Sequence, residues 1–524
     1  MAQSIVPVTR PGISPKSGVS AALLVLALIL LALGAVLSRA EVGAGLVASD
    51  WAAVRFTVLQ AACSSVLSVL LAVPVARALA RRRFIGRGAL VTLLGAPFIL
   101  PVIVAVLGLL AVFGRSGWVN VGLGALGLPP VSIYGFHGVV LAHVFFNMPL
   151  ATRLLLQGWQ TIPVERFRLC AQLRLTPRAL FRAVELPMLY QVVPGALALV
   201  FVICLTSFAV ALTLGGGPRA TTIELAIYQA FRFDFDLGRA ALLSLVQLVL
   251  AGGMALMALW LVPMVQVGGG MDRIMPRWDA RDGLQRLSDG IAILLAALFL
   301  LVPLAAVVWR GVLGLPKMPM EVYAAAFTSI WVAVASIVVL LVLALPMAGW
   351  IAGRRGGGVE AVGLLGLSAS PLMIGTGWFI VINPYADPFD FALGVTVLVN
   401  AMMALPFALR ILVPPMRDAV AQYGRLSAML GVSGGRLWRV LLIPRLRPQI
   451  GFAAGLTGAL SMGDLGVIAL FADPERVTLP LQVERLMGAY RMDAAAGAAL
   501  VLLALSLGIF WICDKYPHES VQFR

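Results

Sequence analysis

Charge is scarce in this chain of 524 residues, of which 12% are charged and 61% apolar. Soluble domains carry about a quarter charged residues and about half apolar ones, so a soluble globular protein is excluded. Lysine is nearly absent, at Lys16, Lys317 and Lys515 alone, and none follows a glycine. A phosphate-binding P-loop needs Gly-Lys-Ser/Thr, so the chain cannot hydrolyse ATP through one and is not expected to be an enzyme. The four cysteines, Cys63, Cys170, Cys204 and Cys513, fall at no metal-ligand spacing, and three lie in or at the end of apolar runs. They read as small core residues and suggest neither a disulfide nor a zinc framework. His137 and His143 lie six apart, off the shared face of a helix, which makes them poor joint metal ligands.

Long apolar runs are what the chain does have. Charge-free windows run over 21–37, 56–76, 88–114, 133–152, 191–214 and 240–267. After a polar stretch, others follow at 290–309, 322–353, 361–386, 391–409, 448–472 and 494–513. Each is near the roughly 20 residues that cross a bilayer as a helix, so the expected fold is an all-α polytopic membrane protein with about twelve spans. Ser38-Arg39-Ala40 resembles a cleavage site, but the run before it is longer than a signal peptide's apolar region, and the first span is expected to be retained.

The 39 Lys and Arg against 23 Asp and Glu give a net charge of +16. In a soluble chain that would point to nucleic acid, whereas in a membrane chain the side on which the charge lies matters first. With the amino terminus inside, cytoplasmic segments hold 28 basic residues, five of them packed into the loop from Arg77 to Arg87, and outer ones hold 11. Both termini are therefore expected in the cytoplasm, with the bilayer and not nucleic acid as the partner surface.

An internal repeat is visible. A shift of 257 positions superposes Pro149 on Pro406, Arg153 on Arg410, Arg168 on Arg425, Arg182 on Arg439 and Pro187 on Pro444, among 12 identities in the 41 positions from 149 to 189. Both copies follow an outward-to-inward span, so the repeat is parallel, with a pseudo-twofold axis along the membrane normal and a translocation path between the copies. The expected division is a first half at 1–267, a cytoplasmic linker at 268–289 rich in glycine and arginine, and a second half at 290–524.

The repeated cytoplasmic loops, 164–187 and 421–444, read as helix, turn, helix. Thr176-Pro177 is a good helix start, with Ser433 at the equivalent place. Leu186-Pro187 and Ile443-Pro444 are expected to stop the helix before the next span. One such loop could be an amphipathic helix on anionic lipid. Two copies at the same place in a repeat favour docking to a two-fold cytoplasmic partner.

The loops resemble the Glu-Ala-Ala loops of ATP-binding-cassette importer permeases, in Arg168-Leu169-Cys170-Ala171-Gln172-Leu173-Arg174 ending Leu186-Pro187, and in Arg425-Leu426-Ser427-Ala428-Met429-Leu430-Gly431 ending Ile443-Pro444. The leading Glu is Arg in both copies, and the family's Gly survives only as Gly431. The stretches from Leu214 to Ala230 and from Gly463 to Phe471 are similar to those of bacterial thiamine importer permeases, and the fused two-copy format is shared with ferric-ion permeases. The resemblance implies a type I permease fold in the bacterial inner membrane, importing thiamine or its phosphate esters. It also implies two copies of a cytoplasmic ATPase that binds ATP-Mg, a periplasmic binding protein, and no cofactor in this chain. By that resemblance the ATPase-coupling residues are Arg168, Leu169, Ala171, Leu173, Arg182, Leu186 and Pro187, with Arg425, Leu426, Ala428, Leu430, Gly431, Arg439, Ile443 and Pro444.

Asp464 is the only formal charge inside an expected span, and it should face a cavity, a partner or water. It could favour passage of a cation or serve a structural turn between Gly463 and Gly466, and its repeat counterpart is Ser207. Trp378, Asn383 and Tyr385 could contact a flat heteroaromatic ligand or belong to an interfacial aromatic belt. Glu224, Asp234 and Asp236 could steer a cationic substrate, pair with a docking protein or be solvated loop charges. A ferric-ion or other small-solute permease is an alternative within the class. An ion-gradient-driven secondary transporter is the rival outside it, with Asp464 as its coupling residue.

Overall fold

A computed structural model describes residues 15–40, 43, 45–95, 99–217, 220–261, 283–353, 357–367, 370–471 and 477–522, and these are helical with no strand among them. The first twelve helices are α1 (Pro15–Arg39), α2 (Ala48–Arg81), α3 (Arg87–Leu93), α4 (Val102–Phe113), α5 (Trp118–Ala125) and α6 (Phe136–Thr161). They continue with α7 (Val164–Gln172), α8 (Pro177–Leu180), α9 (Leu186–Leu205), α10 (Ala209–Leu214), α11 (Ile223–Arg232) and α12 (Leu237–Leu261). The remainder comprises α13 (Gly283–Gly314), α14 (Glu321–Gly353), α15 (Gly357–Leu364), α16 (Pro371–Ile382) and α17 (Ala392–Met429). After these come α18 (Gly434–Leu437), α19 (Ile443–Gly463), α20 (Gly466–Leu470), α21 (Leu479–Gly488) and α22 (Met492–Gln522).

Among the described residues eleven helical stretches are long and apolar enough to cross a bilayer, rather than twelve. The run expected as one span at 361–386 is broken into α15, a 3-10 turn at Leu365–Leu367 and α16. Ser370 explains the restart: its hydroxyl accepts from the Leu372 and Met373 amides, and Pro371 follows in the first helical turn, where its missing N–H costs nothing. The window at 88–114 is broken in the same way between α3 and α4, with Pro101 at the start of α4. Two further windows, 191–214 and 448–472, break near their C-terminal ends, at 206–208 and at Asp464-Leu465. The last seven residues of the expected linker, 283–289, are the first turns of α13, while Gly268 to Asp282, with Arg273, Arg277 and Arg281, lie outside the described residues.

Packing is reciprocal. Helix α1 lies against α12, α14 and α16, and α13 lies against α22, α2 and α4. Each is the opening helix of one expected half, and each sits largely on helices of the other. Two glycines permit the approach. A Cβ on Gly108 of α4 would meet the Pro303 carbonyl of α13 at 2.6 Å, and one on Gly377 of α16 would strike the Ala32 carbonyl of α1. Lipid tails are as apolar as leucine, so close backbone packing over small residues is the main force that holds such helices together. The largest buried cluster accordingly mixes both ends of the chain, with Val25, Ala32, Ile103, Phe208, Leu343, Met402 and Leu502 in one body.

Candidate coupling loops and translocation path

The two repeated loops have the same backbone plan in the same register. Arg174 and Gly431, 257 positions apart, both take a left-handed conformation (φ 49° and 63°) that ends the first helix of each loop. Gly431 meets that need without strain, while Arg174 meets it with a side chain. The Leu175 amide then donates to the Cys170 carbonyl, and the Val432 amide to the Ser427 carbonyl, which closes the same turn twice. Thr176 caps α8 by accepting from the Ala179 amide.

The loop prolines do not stop the helix. Residues Phe181–Glu185 and Trp438–Leu442, again 257 apart, form single π-helical turns that run on into α9 and α19. In such a turn the Leu186 amide donates to the Phe181 carbonyl. The widened ladder falls where Pro187 or Pro444 lacks a donor, and the chain passes as helix into the membrane.

One face of each loop is anchored and the other is open. Phe167, Cys170 and Leu180 are buried in the first, and Gly424, Ser427 and Leu437 in the second. Leu169 and Leu173 are 55% and 62% exposed, and their counterparts Leu426 and Leu430 are 53% and 68% exposed. Arg168, Ala171, Arg182 and Pro187 share the exposed side with Arg425, Ala428, Gly431, Arg439 and Ile443, while Leu186 and Pro444 are half-buried. Behind the first loop, the fully buried Glu185 pairs with Arg77 at 2.8 Å and accepts from the Trp159 indole at 3.1 Å. Arg77 also lies over the Phe181 ring at 5.0 Å. The equivalent position in the second loop is the buried Leu442, so the two exposed faces match while their supports differ.

Ser207 and Asp464 occupy equivalent breaks, between α9 and α10 and between α19 and α20. The breaks adjoin: a Cβ on Gly466 would lie 3.9 Å from the Phe208 ring and 3.9 Å from Leu372, and one on Gly463 would lie 3.1 Å from Pro101. Asp464 Oδ1 accepts from the Gly466 amide at 3.1 Å, which caps α20, while Oδ2 is buried with no donor. The residue therefore serves a structural turn and also keeps an oxygen turned inward. Trp378 is half-buried against the core with its indole N–H buried and unsatisfied, whereas Asn383 and Tyr385 are exposed at the end of α16.

Glu224 is not a solvated loop charge. It is fully buried, with Oε2 accepting from the Ser370 hydroxyl at 2.9 Å and Oε1 from the Gln247 amide at 3.1 Å. Burial pushes its carboxyl up to about 8, against the pull of those two donors. Helix α11, which is not a spanning helix, is thereby tied to the start of α16. Asp234 and Asp236 are exposed, as the loop reading expects.

A second repeated feature escaped the sequence reading. Ser64 and His143 Nδ1 lie 3.4 Å apart, and Asn147 bridges the His143 carbonyl and the Cys204 sulfur. In the other copy Asn400 donates to Ser461 at 3.0 Å, and Ser461 to Ser336 at 3.2 Å. His143 and Asn400, like Cys204 and Ser461, are 257 apart, so the same shift that revealed the loops pairs these residues too.

No protein-family model matches the chain. It is 41% identical to the thiamine transport system permease protein ThiP of Brucella abortus over 475 residues, which cover 89% of this chain and 87% of that protein. It is 40% identical to ThiP of Escherichia coli over 486 residues, 90% of each chain, and 41% identical to ThiP of Salmonella typhimurium over 485 residues, also 90% of each.

Proposed function

The chain belongs to the family of thiamine transport system permease proteins, and from that premise we propose how its parts divide the work of import. It is the membrane-spanning permease subunit of an ATP-binding-cassette importer of thiamine or its phosphate esters, in the bacterial inner membrane with both termini cytoplasmic. Two halves, 1–267 and 290–524, are joined through the segment 268–289. Each presents one coupling loop, 164–187 or 421–444, to one of two copies of a separate ATPase subunit that binds ATP-Mg. A periplasmic binding protein delivers the substrate outside.

The observation that carries this reading is the pair of loops with the same register, left-handed turn, π-turn and exposed leucines. Two equal motor subunits need two equal docking faces, and a gradient-driven transporter has no use for them. Exposed Leu169, Leu173, Leu426 and Leu430 lose contact with water on docking, and the neighbouring arginines meet acidic groups. The π-turns make each loop continuous with α9 or α19, so a displacement of the motor is carried as helix movement to the breaks at Ser207 and Asp464. There the Asp464 carboxylate meets a passing cation, with Ser207 opposite it and Trp378 and Asn383 further out along α16.

The test is uptake of labelled thiamine into proteoliposomes holding this chain, with and without the ATPase and binding protein, under ATP or under a proton gradient. Uptake that needs both partners and ATP is the expected result. Uptake by the chain alone under the gradient would overturn the mechanism. No uptake under any condition would reopen the substrate, with ferric ion next.

A further inference from the structure

Helices α11 and α21 are too short to span a bilayer and start 256 positions apart, at Ile223 and Leu479. Each is pinned at its first amide in the same way. The Ile223 amide donates to the Thr57 hydroxyl at 2.9 Å, and the Leu479 amide to the Ser329 hydroxyl at 2.7 Å. Thr222 and Thr478 precede them with matching extended backbones, φ −86° and −84°. The two helices also share one buried cluster, with Leu225 and Phe231 from the first and Leu481 and Val483 from the second.

At that offset Tyr228 of α11 is the counterpart of Glu484 of α21. Burial, and then the charge of Glu484, raise the Tyr228 hydroxyl above its ordinary pKa, so the two counterparts lie within electrostatic reach. Equivalent side chains of a twofold repeat approach each other only beside the axis that relates the copies, and transporter sites lie at that interface. Both residues are half-buried, and among the described residues neither the Tyr228 hydroxyl nor the Glu484 carboxylate has a hydrogen-bond or ion-pair partner. Arg232 and Arg485 oppose Glu484 at the hydroxyl, but each has a partner of its own. A partnerless, half-buried carboxylate weakens the fold unless a cation offsets it. The pair adjoins the breaks in α9–α10 and α19–α20. The Tyr228 ring lies 5.2 Å from Phe208, and a Cβ on Gly466 would lie 3.9 Å from Phe208 and 3.7 Å from Asp464 Oδ1.

Taking thiamine as the cargo from the function proposed above, we propose that Tyr228 and Glu484 form a recognition site for the cation, on the outer side of Asp464. The thiazolium ring of thiamine is flat and permanently positive. It lies against the Tyr228 ring with its charge beside the Glu484 carboxylate, so an aromatic face and an acid, one from each copy, select a heteroaromatic cation. Phe208 then leads from this site to Asp464.

The experiment is saturation-transfer NMR of the full-length chain in nanodiscs, read against empty nanodiscs, with thiamine and its neutral ring-fused analogue thiochrome as probes. Thiamine is expected to bind about fivefold or more tighter than thiochrome. Tyr228→Leu and Glu484→Gln should each weaken thiamine about fivefold, as expected of a half-desolvated cation contact, and Tyr228→Phe, which keeps the ring, should stay within about twofold. Glu484→Gln is isosteric and leaves packing alone, so it decides the matter if Tyr228→Leu unsettles the fold. Equal binding of thiamine and thiochrome, or thiamine binding that Glu484→Gln leaves unchanged, overturns the proposal. A chain that binds thiamine through both residues, yet imports none with ATPase, binding protein and ATP, faults the motor reading and keeps the site.

Discussion

Truncating the exposed leucines of one coupling loop should weaken ATPase docking without harming the permease. Leu169 on α7 and Leu173 at its C-cap sit four apart, and both remain more than half exposed. Full burial of a leucine side chain is worth about 1.5–3 kcal/mol, so covering the exposed half yields roughly 1 kcal/mol each. Leu169→Ala/Leu173→Ala therefore removes roughly 2 kcal/mol from one docking face, which is about 30-fold in affinity. Leu426→Ala/Leu430→Ala should cost the same within a factor of a few, because exposure and register match. The assay is surface-immobilised permease in nanodiscs, titrated with the separately purified ATPase subunit, beside melting curves of each variant. Phe167→Ala is the contrast: that ring is 3% exposed and belongs to the core, so its loss should lower the melting temperature as well. Unchanged ATPase affinity in both leucine variants, with the protein folded, would refute the docking role of the loops.

Asp464→Asn keeps the Oδ1 acceptor that caps α20 and removes the charge. It should lower the rate of thiamine uptake with assembly intact, and unchanged uptake kinetics would leave the residue a turn former only. Glu224→Gln should change the pH profile of stability. A carboxyl held at about 8 binds its proton more tightly folded than unfolded, so its contribution is present below the ordinary carboxyl range near 4.5 and is lost as pH rises towards 8. The wild-type melting temperature in detergent should fall relative to that of the variant between pH 5 and 8 and run parallel above it; parallel curves throughout would refute the shift. Gly377→Leu and Gly108→Leu each drive a side chain into the backbone of an opening helix, so both should lower the melting temperature by several degrees. A tolerant Gly377 would mean that α1 is not seated on α16 in the membrane.

Composition alone placed the chain in a bilayer, because a chain with this little charge has no other solvent in which to fold. The 257-residue shift marked the loops and their exposed arginines, since a repeat keeps chemistry at fixed offsets whatever the tertiary structure. Hydropathy windows could not show where the apolar runs break. A charge-free run of 26 residues reads the same whether it is one helix or, as at 361–386, pieces restarted by Ser370 and Pro371. Nor could local rules foresee that Pro187 and Pro444 are carried inside a continuous helix, because the single π-turn before each is a rare form that residue type and spacing do not mark. Glu224 looked solvated from its place between spans, and only the fold brought Ser370, 146 residues away, against its carboxylate. Sequence by itself determined the solvent, the repeat and the place of the paired loops, since these depend on residue type and spacing. Tertiary structure decided which opening helix rests on which half, and which acids are buried, because those depend on contacts between residues far apart in the chain.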